Sequence, residues 1–336
     1  MPTMGYTEAV DSALARAMAD DESVVLFGED VPLVRRNLVV RFGPRRVRGT
    51  PVSESAFVGA AVTAAMAGLR PVVEVYMVDM LGVCMDALLN HASKVADFSG
   101  GTWKAPMVVR APCGGGYGDG GQHEQSLWGW LAHIPGLTVV VPSSPADAGG
   151  LMLAAVQHDG PVVFMEHKLL SETSRQFLAT GGRRAVTLDV PRAGTRGRVP
   201  ARWKPLALGK AEVKVRGGDI TIASVGVGVH RALAAAKLLK EHHISAGVID
   251  LRTVAPLDRE TLCDELVHTG RLLVVDEDYQ GFGLSGELAA VPLEQGIPIE
   301  FARVCTRSTI PYQRDREERA LPNVERIIAA AEELMR

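Results

Sequence analysis

The sequence predicts an α/β protein made of two doubly wound, mostly parallel-sheet domains. Apolar runs of strand length alternate with helical patterns along most of the chain, and the alternation stops once, between residues 169 and 217. Strands that are apolar without interruption have both faces buried, which is typical of a parallel sheet covered by helices on each side. The length of 336 residues agrees with two domains, at roughly 150 residues per domain.

The first domain is expected to span residues 1–168. An amphipathic pattern predicts a helix over 6–19, with Thr7 as its N-cap. Buried strands are predicted at 23–27, 72–76, 107–111, 138–141 and 162–164. Helical patterns lie between these strands at 57–68, 79–96, 124–133 and 145–157. This order of elements predicts one sheet with helices on both faces.

The second domain is expected to span residues 218–336. Residues 169–217 contain several Gly and Pro residues, including Gly181 and Gly182, which predicts a linker with little regular structure. Beyond this linker, strands are predicted at 220–225, 246–250, 272–276 and 299–304. Helices are predicted at 229–242, 258–268, 285–294 and 323–335, and Asn323 is the expected N-cap of the last one.

Composition excludes several classes of function. Lys and Arg total 36 and Asp and Glu total 39, so the net charge is −3 and a nucleic-acid partner is not expected. The longest apolar stretch, 58–69, is too short to cross a bilayer, and no targeting segment is visible. The four cysteines are far apart and predict neither a disulfide framework nor a metal site. We therefore expect a soluble, cytoplasmic protein with no membrane partner.

Glu54 is the first candidate site residue. It lies between Ser53 and Ser55 at the start of a helix rich in Ala and Gly. One interpretation is an acid that complements the helix dipole. The other is a carboxyl that is partly desolvated where small side chains let another surface approach, and desolvation would raise its pKa.

His123 is the second candidate. It follows a loop with six glycines in the eight positions 114–121, where backbone can approach a ligand closely. A histidine at the start of the helix predicted at 124–133 would tend to be neutral and could act as an acid, a base or an electrophile. A capping or core histidine is the alternative.

Two further patterns carry weaker signals. Residues 281–286, GFGLSG, match the GxGxxG pattern of dinucleotide-binding proteins, but four residues separate them from the strand predicted at 272–276. The six arginines between 35 and 48 form a basic cluster, which is typical of a solvated face and could also receive an acidic partner protein.

Taken together, the ordered motifs resemble the β subunit of the E1 component of 2-oxo acid dehydrogenases of the pyruvate, branched-chain and acetoin types. That family combines a transketolase-like pyrimidine-binding domain of the thiamine-diphosphate-binding fold with a transketolase C-terminal-like domain. The matching segments are FGEDV at 27–31, RFGP at 41–44, TPVSE at 50–54, GLRPVVE at 68–74, QHEQS at 122–126, HIPGLTVVVP at 133–142, PVVFME at 161–166, LGK at 208–210 and VVDE at 274–277.

The resemblance implies an enzyme that uses thiamine diphosphate (ThDP) shared with an E1 α-like subunit in an α₂β₂ heterotetramer. Glu54 would hydrogen-bond N1′ of the cofactor's aminopyrimidine, and His123 would act on the substrate-derived group. Glu29, Tyr76 and Met80 complete the expected cofactor contacts. Mg²⁺ would be held by the α subunit.

The asparagines agree with the location of Mg²⁺ that the resemblance implies. In ThDP enzymes a GDG triplet with an Asn some 25 to 30 residues later holds the metal and the diphosphate. Here Gly118, Asp119 and Gly120 form such a triplet, but the next asparagine is Asn323. The chain therefore lacks a complete site of that kind, and the triplet is expected to be loop.

Three departures from the family pattern leave the substrate and acceptor open. Met80 stands where relatives have an aromatic residue, residues 30–41 are shorter than usual, and the linker 169–204 is longer. The implied reaction is decarboxylation of a 2-oxo acid with acyl transfer to a lipoyl-bearing E2. Alternatives are two-carbon transfer to an acyl carrier protein, a non-catalytic scaffold subunit, or a nucleotide-binding module.

Overall fold

Two mainly parallel sheets, one in each half of the chain, organise the residues that this computed structural model describes, 1–180 and 190–336. The glycines at 181 and 182 lie outside the described residues. The strands are β1 Thr3–Gly5, β2 Val24–Gly28, β3 Val47–Gly49, β4 Arg70–Glu74, β5 Val108–Cys113, β6 Thr138–Val140, β7 Val162–His167, β8 Arg196–Arg198, β9 Glu212–Val215, β10 Ile220–Ser224, β11 Ala246–Asp250, β12 Thr253–Ala255, β13 Arg271–Tyr279 and β14 Glu300–Thr306.

Helices cover the faces of both sheets, which confirms the predicted α/β class. They are α1 Tyr6–Asp20, α2 Val31–Val34, α3 Arg36–Phe42, α4 Glu54–Met66, α5 Val95–Phe98, α6 Trp128–Ala132, α7 Pro145–Gln157, α8 Glu172–Thr180, α9 Arg192–Thr195, α10 Val227–Leu239, α11 Arg259–Thr269, α12 Leu284–Glu294, α13 Arg314–Ala320 and α14 Val324–Leu334. No helix within the two described ranges is long and apolar enough to cross a membrane.

The first sheet has seven strands in the order β12-β6-β7-β5-β4-β2-β3. Its strands are parallel except for β12, which comes from the second half of the chain and pairs antiparallel with β6. The second sheet has the order β14-β13-β10-β11-β9, and only β9 is antiparallel to its neighbour. Each sheet is therefore a parallel sheet with one antiparallel edge strand.

One of the apolar cores joins the two halves. A single cluster of buried side chains includes Phe57 and Trp128 from the first half with Leu251, Val274 and Leu288 from the second. Hydrogen bonds also cross this junction. Two buried acids of β13 accept them from donors in the first half. The Trp128 Nε1–H bonds Asp276 at 2.9 Å, and the Gly129 N–H bonds Asp278 at 2.8 Å.

Residues 169–217 contain more regular structure than the sequence predicts. The prediction of a largely irregular linker is wrong for α8, α9, β8 and β9, which all lie within it. β8 pairs antiparallel with β1, and β9 pairs antiparallel with β11. These short strands are stabilised by partners distant in sequence, so no local pattern marks them.

Two predicted helices differ in kind or extent. The helix predicted at 79–96 is a 3₁₀ helix over Val78–Cys84, a π-helical turn over Asp86–Ala92 and the short α5. The helix predicted at 124–133 begins only at Trp128. Its expected first turn is diverted because the N–H and the side-chain amide of Gln125 both bond Asp79, at 3.3 and 2.8 Å.

The predicted caps have opposite outcomes. Asn323 does cap the last helix, since its Oδ1 accepts the Arg326 N–H at 2.9 Å. Thr7 does not cap α1, which begins after Gly5. Instead the carboxylate of Glu172 on α8 accepts the N–H groups of Thr7 and Glu8, each at 2.8 Å. A capping anion from a distant element has replaced the local hydroxyl.

Arg35 does not belong to a solvated basic face. It is buried, and its guanidinium donates to Glu74 at 2.9 and 2.6 Å and to Asp11 at 3.3 Å. The fully buried Arg110 donates to Asp11 and to Glu166. A charge can be buried at such a position only when paired and hydrogen-bonded, and these groups satisfy one another.

Candidate active site

The predicted site residues follow the carboxyl ends of four neighbouring parallel strands. Glu29 comes directly after β2, Tyr76 two residues after β4, Glu54 after β3 and a short connection, and His123 in the loop that follows β5. These strands are adjacent in the order β5-β4-β2-β3. The carboxyl ends of parallel strands meet at one edge of a sheet, which is where α/β proteins bind ligands.

Glu54 begins α4 and is half-buried. Within residues 1–180 and 190–336 its carboxyl has no hydrogen-bond or salt-bridge partner. Two groups lie in its electrostatic range. Burial and then repulsion from Glu54 and Asp30 raise the pKa of Glu29, and burial with repulsion from Glu54 raises the pKa of Cys84 to about 12. A half-buried carboxyl that the described chain leaves unpaired is available to a polar ligand.

Tyr76 and Met80 lie on the next strand connection. Tyr76 is 38% exposed, and its pKa is raised by burial and by the acids Glu29, Asp30 and Asp119 around it. Met80 is half-buried in the 3₁₀ helix and packs against the main apolar core. A partly exposed phenol and a polarisable thioether are both side chains that can pack against a flat ring.

His123 lies in a turn, so the prediction that it starts a helix is wrong. No helix dipole therefore acts on its ring. The ring is half-exposed, and Nδ1 lies 3.2 Å from Oδ2 of Asp119. The His123 carbonyl accepts the Tyr117 hydroxyl at 2.7 Å and the ammonium of Lys168. These two hydrogen bonds hold the His123 backbone in place, and the Asp119 carboxyl lies beside one ring nitrogen.

Sequence reasoning missed three polar residues beside His123. Asp79 receives both donors of Gln125, and Gln125 also accepts the Tyr279 hydroxyl at 3.1 Å. Lys168 is buried, which lowers its pKa, while Asp79 counters part of that shift. Each residue gains its neighbours from elements more than 40 residues away, so only the fold brings them together.

The other two patterns are explained by packing. The strand before the GxGxxG match ends at Tyr279, not at the predicted residue 276, so only Gln280 separates β13 from Gly281. The spacing objection is therefore wrong. However, the buried Asp276 carboxylate accepts the Ser285 N–H at 3.2 Å. An acid of the chain already occupies the start of α12 where a phosphate would bind.

One cluster of acids arises only in three dimensions. Asp147, Glu212 and Asp250 converge closely enough to hold a cation. Lys214 and Arg252 already lie among them, with Arg252 2.6 Å from both Asp147 and Glu212. These two side chains offset much of the negative charge of the cluster.

Comparison with known protein families places the chain among transketolase-like proteins. Residues 2–173 match the family described as the transketolase pyrimidine-binding domain, and residues 209–327 match the transketolase C-terminal domain. The chain also superposes on a solved structure described as a split-gene transketolase, inactive β4 tetramer. The TM-score is 0.78, with 21% identity over 99% of both chains.

Curated relatives narrow this class. The chain is 36% identical to the 2-oxoisovalerate dehydrogenase subunit beta of Bacillus subtilis, over 99% of each chain. It is 34% identical to the acetoin:2,6-dichlorophenolindophenol oxidoreductase subunit beta of the same organism, over 99% of this chain and 97% of that one. A third relative is the pyruvate dehydrogenase E1 component subunit beta of Rhizobium meliloti, 35% identical over 98% of this chain and 69% of that one. The chain belongs to the family of E1 β subunits of 2-oxo acid dehydrogenases, as the motifs predict.

Proposed function

We propose that this chain supplies the pyrimidine-binding half of a ThDP-dependent E1 active site that acts on a 2-oxo acid. The observation that carries the proposal is Glu54, an unpaired, half-buried carboxyl at the ligand-binding edge of the first sheet. The matched relatives, named for pyruvate, 2-oxoisovalerate and acetoin, support the substrate class.

The residues around Glu54 fit the aminopyrimidine of ThDP. Glu54 would hold a hydrogen bond at N1′, and Tyr76 and Met80 would contact the ring. Glu29, whose pKa is raised by burial and by repulsion from Glu54, would complete the cofactor contacts. When bound, the cofactor supplies the carbanion chemistry, which protein side chains alone do not provide.

His123 would act on the substrate side. With Asp119 at Nδ1, its Nε2 is the ring nitrogen available to donate or accept a proton at a substrate oxygen. The bonds from Tyr117 and Lys168 to its carbonyl would orient the ring. We propose that this step assists acyl transfer to a lipoyl carrier on an E2 partner.

The other half of the site would come from an E1 α-like subunit in an α₂β₂ heterotetramer. Gly118, Asp119 and Gly120 have no asparagine at the required distance, so the α subunit would hold Mg²⁺ and the diphosphate. We also propose a division of this chain into residues 1–168, 169–217 and 218–336, and a reducing cytoplasmic location in which its four unpaired cysteines are stable.

Three alternatives lack support of this kind. Transfer to an acyl carrier protein would need a basic surface, and burial of Arg35 removes one arginine from the exposed cluster. A non-catalytic scaffold would have no need for the unpaired Glu54. The relatives are named as subunits of dehydrogenases or oxidoreductases, which does not favour either alternative. A dinucleotide site at 281–286 is disfavoured because Asp276 occupies the helix start.

Exchange of the C2 proton of ThDP tests the proposal. Glu54→Gln in the complex with the α-like subunit should preserve assembly and abolish exchange, because an amide cannot replace the carboxyl in proton transfer. Glu22→Gln, at an exposed glutamate, is the matched control and should exchange normally. Normal exchange in Glu54→Gln would refute the assignment. Calorimetric titration should also show ThDP and Mg²⁺ binding to the complex and poor binding to this chain alone.

A further inference from the structure

The backbone of the loop before His123 is held by carboxylates from the other half of the chain. Four consecutive N–H groups, residues 115–118, point toward two buried glutamates, Glu277 at the end of β13 and Glu317 on α13. The bonds are Gly115 N–H to Glu277 at 2.7 Å, and Gly116, Tyr117 and Gly118 N–H to Glu317 at 2.8, 3.2 and 3.1 Å. Successive N–H groups on one side of a loop form a concave anion site, and here side chains of the same chain fill it.

Glycine makes this loop conformation possible. Gly114, Gly116, Gly118 and Gly120 all have positive φ, between 75° and 109°. Side-chain-bearing residues rarely adopt this conformation. A β-carbon at Gly114 would also lie 2.1 Å from Nε2 of His167. The glycine-rich pattern therefore serves the approach of the glutamates and of His167 as well as any approach of a ligand.

Basic side chains lie beside both glutamates. Glu277 accepts from His167 at 3.0 Å and from Arg231 at 3.0 Å, and these partners hold its pKa at about 2 despite burial. Arg314 lies 3.3 Å from Glu317. Hydrogen bonds to an ionised acceptor are about twice as strong as neutral ones, so Glu277 binds the Gly115 N–H strongly.

Glu124, the residue after His123, closes the arrangement. Its carboxyl accepts the N–H of Tyr117 at 3.2 Å and of Gly120 at 3.1 Å, and it is hydrogen-bonded to Glu317. Burial and the neighbouring Glu317 raise its pKa to about 9, so this pair of acids retains a proton at neutral pH. The other titratable groups that face it are Tyr117 and Lys168, and the backbone N–H of Asp119 also donates to its carboxyl.

We propose that Glu277 and Glu317 are positioning residues that fix the loop 114–123 and thereby place the His123 ring at the cleft. Glu124 joins Glu317 to the loop as the protonated partner. The role assigned to His123 rests on the proposed function, whereas the restraint on the loop does not. The second half of the chain would then shape a site whose candidate side chains all lie in the first half.

The experiment compares Glu317→Gln with Glu318→Gln, a control on the same helix at an exposed glutamate. Hydrogen exchange on the full chain should be at least about tenfold faster at the amides of 115–120 in Glu317→Gln, because both carboxyl oxygens accept from residues 116–118 and an amide has only one acceptor oxygen. Peptides from β2, β4 and β10 should keep their protection, and the control should match the unmodified chain throughout. Unchanged loop exchange in a folded Glu317→Gln variant would overturn the proposal.

A second measurement separates positioning from general stability. In the complex with the α-like subunit, Glu317→Gln should keep the C2 exchange of ThDP that depends on Glu54. It should lower kcat for acyl transfer to a lipoyl domain about tenfold or more, with little change in KM for the 2-oxo acid. Equal losses of C2 exchange and of kcat would point to a structural role only and would overturn the positioning role.

A second variant and the unmodified complex separate failure of this proposal from failure of folding or of the proposed function. If Glu317→Gln does not fold, Glu317→Asp keeps the charge but withdraws the carboxylate by one methylene, and it should show the same faster loop exchange. If the unmodified complex shows no C2 exchange, the proposed function fails, yet the hydrogen-exchange result still decides whether the glutamates restrain the loop.

Discussion

The buried pair of Glu124 and Glu317 should leave a measurable signature in the pH dependence of folding. Glu124 is fully buried, and its pKa in the folded chain is about 9, against 4.5 for an ordinary glutamate. The folded state therefore keeps a proton that the unfolded state releases. Its stabilising effect is fully present below pH 4.5 and is lost as the pH rises toward 9.

Glu124→Gln removes this titration while keeping the shape of the side chain. The amide can still donate to Glu317 and accept from Gly120, and the Tyr117 N–H that it releases keeps its bond to Glu317. Each pH unit between the two pKa values changes the free energy of unfolding by about 1.4 kcal/mol for one proton. From pH 5 to pH 8 the free energy of unfolding of the variant should therefore rise by about 4 kcal/mol relative to that of the unmodified chain.

Urea unfolding at pH 5, 6, 7 and 8 measures this difference. Any destabilisation by the amide that does not depend on pH changes the four differences in free energy of unfolding equally. The slope of these differences against pH therefore reports the titration of Glu124. Titrating groups that do not interact with Glu124 cancel between the two chains. Glu318→Gln, at an exposed glutamate of the same helix, should give a flat difference. A flat difference for Glu124→Gln as well would refute the shared proton.

Three further substitutions test the packing around the site. Arg110→Met should destabilise the chain by about 3–5 kcal/mol in urea unfolding, because it leaves the buried carboxylate of Glu166 unpaired; a loss below 1 kcal/mol would contradict this. Gly114→Ala should cost about 1–3 kcal/mol for its positive φ alone and should displace His167, which a shift of the His167 ring resonances in NMR would report; unchanged resonances would show that the loop yields instead. Asn323→Ala should cost about 1 kcal/mol by loss of the α14 cap, measured as a lower urea midpoint, and Asn323→Asp should restore it.

Local patterns predicted the longer strands of both sheets, but not the short strands β3, β9 and β12. Runs such as 162–165 and 246–249 are apolar because helices cover both faces of the sheets, so the order of residues itself indicates burial. The family resemblance named Glu29 and Tyr76, and the structure shows that they follow the ends of β2 and β4. Strand ends in a parallel sheet meet at one edge whatever the connections between them.

Elements without a periodic pattern could not be predicted in this way. β12 has three residues, and it completes the first sheet although it lies in the second half of the chain. The helix expected to begin at residue 124 lacks its first turn, because Gln125 is hydrogen-bonded to Asp79, more than 40 residues earlier. In both cases a partner distant in sequence decides the conformation, and local propensity is too weak to oppose it.

The sequence by itself determined the α/β class, the succession of buried strands and the family, because each depends on residues close together or on ordered motifs. Only the tertiary structure decided the pairing of the buried charges. The sequence indicates that Arg35 is one of six surface arginines, whereas in the structure it is buried and hydrogen-bonded to Glu74 and Asp11. In the sequence Glu317 is one acid of a charged segment, and only the structure shows that it accepts hydrogen bonds from the loop 114–123, about 200 residues away. Burial of a charge is tolerated only beside its partners, and the positions of those partners are properties of the fold.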